Sequence, residues 1–200
     1  MLAMVSGCHR EPRAPAPSAV PGDPPAPEPT TVGATVPGCG RPGAWRDGPV
    51  FVTARGGHHA RLLADGLVLV WGGSKNLHVV DGYPAESFDP DGRRAGTGYD
   101  GLPPEAIAEA APPAPRGAPA GAALVRLGDG RVLAAGGSDA DGWPLRTVTI
   151  DGCAAAPLGS PRAGAAAVLL PDGRVLVTGG RTGGPHEMDP FIRTTELFTP

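Results

Sequence analysis

The 200 residues carry 17 basic and 20 acidic side chains, a formal net charge of −3. That length suits one modest domain, and the charge lacks the basic footprint of a nucleic-acid binder. With 32 Gly and 26 Pro against 4% aromatic residues, the chain favours tight turns, short strands and extended stretches over long helices, and no run approaches the ~18 apolar residues of a membrane span.

Residues 1–8, MLAMVSGC, end in Val5-Ser6-Gly7-Cys8, which resembles a bacterial lipobox. The resemblance implies lipidation of Cys8 and a membrane attachment made through lipid alone. Seven residues precede Cys8, fewer than a basic region plus the roughly 7–15 apolar residues of a signal peptide, so the expected signal is a clipped one. Residues 9–43 hold a dense run of prolines with few large apolar groups. Such a segment cannot bury enough surface to fold and is expected to be an extended tether. Lipid, tether and folded domain in that order imply a cell-envelope protein, lipid-anchored or secreted. With Cys8 lipidated, Cys39 and Cys153 remain as a candidate disulfide of an exported protein. Two unpaired thiols are the competing reading.

Residues 44–200 contain an internal repeat, in segments centred on 60–90, 123–152 and 166–200. Ala60–Gly73 reads ARLLADGLVLVWGG, Ala123–Gly137 reads ALVRLGDGRVLAAGG, and Ala166–Gly180 reads AAVLLPDGRVLVTGG. The steps from Asp65 to Asp129 and from Asp129 to Asp172 are 64 and 43 residues. Asp-Gly between two apolar runs is a hairpin signal, since such turns need a positive φ that glycine adopts freely and aspartate tolerates. Continuously apolar strands such as those around Leu69, Leu133 and Val175 predict burial on both faces. Twin glycines end each second strand and allow close backbone approach. A third strand follows at Glu86-Ser87-Phe88, Val148-Thr149-Ile150 and Glu196-Leu197-Phe198. The 21 additional residues between the first two repeats fall within 91–115. Part of that stretch is a fourth strand, and Pro104–Ala111 is a candidate for one or two helical turns.

Apolar run, Gly-Gly, variable loop and a strand ending in an aromatic residue, in the style DGRVLVTGG followed by TTELFTP, resemble the bacterial kelch repeat. The resemblance covers about Trp45 to Pro200. It implies an all-β fold, a kelch-type β-propeller of about three four-stranded blades, partial or open. The tryptophan of the kelch repeat is absent after each third strand, and the usual tyrosine is replaced by Phe88, Ile150 and Phe198. Trp45 is expected to supply a leading outer strand that latches the last blade. Propellers close with about four to eight blades, so further blades from a longer chain or a second copy are the expected complement.

In a propeller the loops entering the first strand and those linking the second and third share one face, which is the expected binding surface for a protein or glycan. There Tyr83, Trp143 and Phe191 are candidate anchors, with covering their own blade edges as the alternative. Arg55, Arg116 and Arg162 recur just before each first strand. A ring of them would offer paired donors to an anion; the competing role is structural, bonding backbone carbonyls between blades. His58-His59 and His186-Glu187-Met188-Asp189 bring imidazole and carboxylate groups in a spacing that matches no defined metal site, leaving His58 and His186 as contact candidates and no metal or cofactor expected. Kelch propellers also form the body of galactose-oxidase-like copper enzymes, which need two Tyr, two His and a Cys cross-linked to Tyr. Here only Tyr83 and Tyr99 occur, with Cys153 in a later repeat, so a binding or scaffold protein is expected rather than an enzyme. A copper-oxidase fragment, or a truncated product without activity of its own, is the alternative.

Overall fold

A computed structural model of the chain describes residues 40–74, 84–93, 97–99, 103–186 and 191–200. The lipobox with Cys8, most of the tether, Cys39 and Tyr83 lie outside the described residues. No described residue is helical, and none of the described segments is a helix long and apolar enough to cross a membrane.

The described chain is all-β. Sheet I holds β2 (His59–Leu62), β3 (Val68–Trp71), β4 (Glu86–Phe88) and β5 (Thr97–Gly98). Sheet II holds β6 (Ala120–Arg126), β7 (Val132–Ser138), β8 (Val148–Ile150) and β9 (Cys153–Ala154). Sheet III is β10 (Ala166–Leu169), β11 (Val175–Thr178) and β12 (Thr195–Thr199), completed by β1 (Ala44–Asp47) from the other end of the chain. All pairings are antiparallel. Trp45 supplies the outer strand as its position predicts: it pairs with Phe198, with ring centroids 4.8 Å apart. Its indole N–H also reaches across to donate to Ala156 O at 2.6 Å.

Each first hairpin turns at Asp-Gly, with a difference of detail. The positive φ falls on Gly66, Gly130 and Gly173 alone. The aspartate stays in the ordinary region, and its carboxylate accepts the amide two residues on, as Asp172 does from Arg174 N at 3.1 Å. Gly173 N bonds Leu170 O at 3.0 Å, and Leu170 N bonds Arg174 O at 2.8 Å. This is the longer hairpin with a glycine bulge rather than a two-residue turn, which explains why aspartate suffices at each site.

Strand faces decide how the sheets stack. Val175 and Val177 point from β11 into a core with Leu133, Ala135, Val148 and Ile150 of sheet II. Between them, Leu176 joins Val68, Val70 and Phe88 of sheet I, with Phe51 from the segment that leads into β2. Sheet III is therefore covered on both faces, in the order II–III–I. The other face of sheet I, formed by Leu69 and Trp71, is covered by Tyr99 and Ala106. Ala106 belongs to the long connection between the first two repeats. The candidate helix at Pro104–Ala111 does not form: Ala106 N donates to Pro103 O at 2.9 Å and Ile107 N to Glu105 O at 2.8 Å, and the rest of the segment has no regular structure. Pro103, Pro104, Pro112 and Pro113 withhold amide donors and fix φ, which suits a strap better than a helix.

Twin glycines set the spacing between sheets. Gly137 N donates to Arg162 O at 2.7 Å, carrying sheet II onto sheet III, and Gly180 N donates to Arg55 O at 2.9 Å, carrying sheet III onto sheet I. A Cβ on Gly136 would lie 2.1 Å from Arg162 O, and one on Gly179 would lie 2.6 Å from Arg55 O. Gly57 N to Gly164 O (2.7 Å) and Gly164 N to Gly121 O (2.9 Å) repeat the same order along the inner strands.

Gly136→Ala is predicted to destabilise far more than Gly173→Ala in urea unfolding. Both positions have positive φ, a cost of about 1–2 kcal/mol for a side chain, but a Cβ on Gly173 meets nothing within 4 Å. Equal losses would show that the close approach at Gly136 is not a constraint.

Candidate functional site

The arginines before the first strands separate into two kinds. Arg55 and Arg162 are 0% and 1% exposed. Arg162 reaches Glu196 of β12 at 2.9 Å, and its Nη1 donates to the carbonyls of Gly179 (2.8 Å) and Thr194 (2.9 Å). Arg55 repeats the pattern with Glu86 of β4 at 2.9 Å and the carbonyls of Gly72 (3.2 Å) and Pro84 (3.0 Å). Each glutamate also accepts two amides of the segment that leads into the first strand: Val52 and Thr53 bond Glu86, and Gly159 and Ser160 bond Glu196. A carboxylate and a guanidinium thus fasten the incoming chain to the third strand of its own sheet. Burial pushes the Arg162 pKa down, while the Glu196 charge and hydrogen bond hold it up. The side-chain bonds of Arg55 and Arg162 thus run to carbonyls at the strand ends of their own sheets, and not from one sheet to the next.

Arg116 is exposed. Counted back from the hairpin aspartates, Arg55 and Arg162 each stand ten residues before Asp65 and Asp172, and the residue ten before Asp129 is Pro119. Sheet II also has Val148 where the others have Glu86 and Glu196. Both halves of the pair are therefore replaced together, which avoids an unpaired buried charge.

His58 is 6% exposed. Its Nε2 lies 2.7 Å from Thr178 Oγ1 on β11, and the threonine hydroxyl points on to Ala166 O at 3.4 Å. Among the described residues Nδ1 has no hydrogen-bond partner. Burial, then the neighbouring Arg55 and His59 charges, lower its pKa to about 3. This imidazole is a neutral packing group at the joint between sheets I and III, against Phe51. His59 stacks on Trp71 with centroids 5.3 Å apart.

The exposed candidates gather elsewhere. Trp143 is 52% exposed in the turn after β7, and its ring covers Gly184, whose added Cβ would lie 2.7 Å from it. Gly142 faces Pro185 across the same contact, and Arg181 clasps the two loops by donating to Gly142 O at 2.9 Å and Gly183 O at 2.7 Å. His186 is exposed at the end of this segment. Beside it opens a hollow of about 420 Å3 at the inner-strand ends, lined by Gly57, Gly121, Gly164, Ser138, Arg181 and Phe191. Phe191, packed on Gly56, forms one wall. The structure thus brings Trp143, His186 and Phe191 to one region and leaves Arg55, Arg162 and His58 inside. Arg181 was missed by the sequence reading; its signal was its place directly after Gly179-Gly180.

A second cavity, of about 630 Å3, lies between β2, β6 and β10 and the strap at Glu109–Pro112. Arg61 of β2 reaches Glu109 at 3.4 Å. Among the described residues no group of three or more His, Cys, Asp or Glu is arranged to hold a metal. Cys153 is disulfide-bonded.

No protein-family profile matches this sequence, and no curated protein matches it.

Two predictions follow the buried charges. Arg162→Met leaves Glu196 unpaired and is predicted to cost about 3–5 kcal/mol in chemical unfolding, whereas Arg116→Met stays within about 0.5 kcal/mol; a reversed ranking would refute the assignment. For His58, a folded pKa near 3 against an unfolded value near 6.5 means that acid protonates the unfolded chain first. Its contribution is complete above pH 6.5 and is lost by about 1.4 kcal/mol per pH unit below it, levelling off near pH 3. His58→Gln should therefore lose less stability than the native chain between pH 7 and pH 4. An identical loss would mean that His58 is not buried neutral.

Proposed function

We propose that this chain is a kelch-type β-propeller protein of the bacterial cell envelope that binds a protein or glycan through its loop face. The observation that carries the reading is the pair of docked loops, 138–144 and 181–186, which hold Trp143 half-exposed beside the hollow at Arg181 and Phe191. An aromatic ring held over a rigid sheet stack loses little entropy on binding, and tryptophan is favoured at binding hot spots. His186 belongs to the second of these loops, and the proposed face also includes Tyr83, which lies outside the described residues. The sheets support the propeller reading by their four-stranded antiparallel form, their stacking through twin glycines and the outer strand contributed by Trp45. A further sheet, from a longer chain or a second copy, would join between sheets I and II. A disulfide at Cys153 suits an oxidising compartment, in keeping with lipid attachment at Cys8.

The test places a photo-crosslinking amino acid at position 143, and at Asp129 in a hairpin turn as control, in the protein expressed in a bacterial envelope. Discrete adducts from position 143 and none from 129 are expected. No adduct at 143, or equal adducts at both, would contradict a binding face at the docked loops.

A further inference from the structure

We propose that two copies of this chain close into one ring of six sheets, with sheet I of each copy stacked on sheet II of the other. The inference rests on the propeller reading above and names the partner that completes it. Its basis is a pattern of backbone bonds that runs in one direction through the stack. The second glycine of each pair donates to the next sheet: Gly137 N to Arg162 O at 2.7 Å (II to III) and Gly180 N to Arg55 O at 2.9 Å (III to I). On the inner strands the donors point the other way, Gly164 N to Gly121 O at 2.9 Å and Gly57 N to Gly164 O at 2.7 Å. Carried one step further, the pattern needs Gly73 N of sheet I to reach a carbonyl ten residues before a hairpin aspartate, and Gly57 O to accept the amide two residues after that carbonyl. Sheet II offers both, at Pro119 and Gly121. Sheets I and II are not neighbours within one copy, so these two bonds need a second one.

The glycines mark the same joint by their surroundings. A Cβ on Gly136 or Gly179 would strike the next sheet's carbonyl at 2.1 or 2.6 Å, whereas one on Gly72 meets nothing nearer than His59 Cδ2 at 3.8 Å. Likewise a Cβ on Gly121 or Gly164 would face the next sheet's amide at 3.6 or 3.2 Å, and one on Gly57 faces nothing within 4 Å. Sheet I thus carries the glycines of a stacked joint on a side where no sheet of its own copy stands. Side chains agree with this. In the two joints already made, Val175 and Val177 meet Leu133, and Val68 and Val70 meet Leu176. By the alternation of strands, Val132 and Ala134 lie on the outer face of sheet II, as Leu69 and Trp71 do on that of sheet I. Stacked in the same register, Val132 meets Leu69, and the small Ala134 makes room for Trp71. A two-fold axis makes the two new joints identical, and six sheets fall within the about four to eight of closed propellers. The strap over sheet I gives way to the partner. Its Glu109, 75% exposed, meets Arg61 at 3.4 Å, a contact worth little, and the cavity of about 630 Å3 beside it shows how incompletely it covers the gap.

Sedimentation equilibrium of the full chain should give twice its 20.0 kDa; a monomer, or an assembly that grows without limit, overturns the proposal. Gly72→Ala is expected to weaken dimerisation at least tenfold, because its Cβ would strike the carbonyl of the partner's Pro119. Gly173→Ala, also at positive φ and with nothing within 4 Å of its Cβ, should leave dimerisation unchanged and controls for folding. Equal weakening by both substitutions, or by neither, contradicts the joint. In a dimer mixed from differently labelled copies, isotope-filtered NMR should show Leu69 methyls of one copy against Val132 methyls of the other, and a dimer without that contact would place its interface elsewhere and refute the ring. None of these readouts involves the loops at Trp143 or a ligand. A monomer that keeps Leu176 against Phe88 would sink the second copy and leave both the stack and the binding face standing.

Discussion

β3, β7 and β11 are apolar on both faces, and this constrains everything else in the molecule. A sheet three or four residues deep cannot hide two apolar faces by itself, so each must be covered by a neighbour. Sheet III meets the requirement fully, taking sheet II against Val175 and Val177 and sheet I against Leu176. Sheet I meets it with one sheet and one strap, Ala106 and Tyr99 lying over Leu69 and Trp71. The backbones come near enough because glycines stand where the sheets touch. At Gly136 and Gly179 the neighbouring carbonyl occupies the space of a side chain.

Within that stack the Arg55–Glu86 and Arg162–Glu196 pairs solve a local problem. The chain that leads from one sheet into the next first strand is irregular, and its amides need acceptors once buried. Glu86 and Glu196 accept them and thereby become buried charges that require a cation. The arginine supplies it and spends its remaining donors on carbonyls at the twin-glycine ends of the strands. Such a pair adds little against an apolar substitute but is costly to break. Sheet II shows the substitute, with Pro119 and Val148 in place of both charges. The exposed loops beyond this framework can vary without disturbing it, which is why the binding proposal rests on Trp143 and its surroundings rather than on the arginines.

Much of this architecture is legible in the sequence because short-range rules fix it. Asp-Gly between apolar runs gives the hairpins, Gly-Gly gives the strand ends, and an isolated Trp45 ahead of the repeats gives the latching strand. What escaped depends on register or on distance. Arg116 looks like a counterpart of Arg55 and Arg162, but three residues of offset put it on the surface, and only the count from the hairpin aspartate reveals Pro119 as the equivalent. Pro104–Ala111 has helix-compatible residues, yet flanking prolines and the exposed face of sheet I draw it out as a strap. His58 carries no local sign of burial; its setting comes from Thr178, 120 positions away. Arg181 clasps two loops that no sequence pattern joins.

The central claim is the order of the stack, with sheet III between the other two. Methyl-labelled NMR of the full chain tests it directly. Nuclear Overhauser contacts are expected from Leu176 and Leu197 methyls to Phe51 and Phe88 rings, and from Val175 and Val177 methyls to Leu133 and Ile150. Contacts from Val68 or Val70 straight to Leu133 or Val148, with none to Leu176, would put sheet I against sheet II and contradict the account.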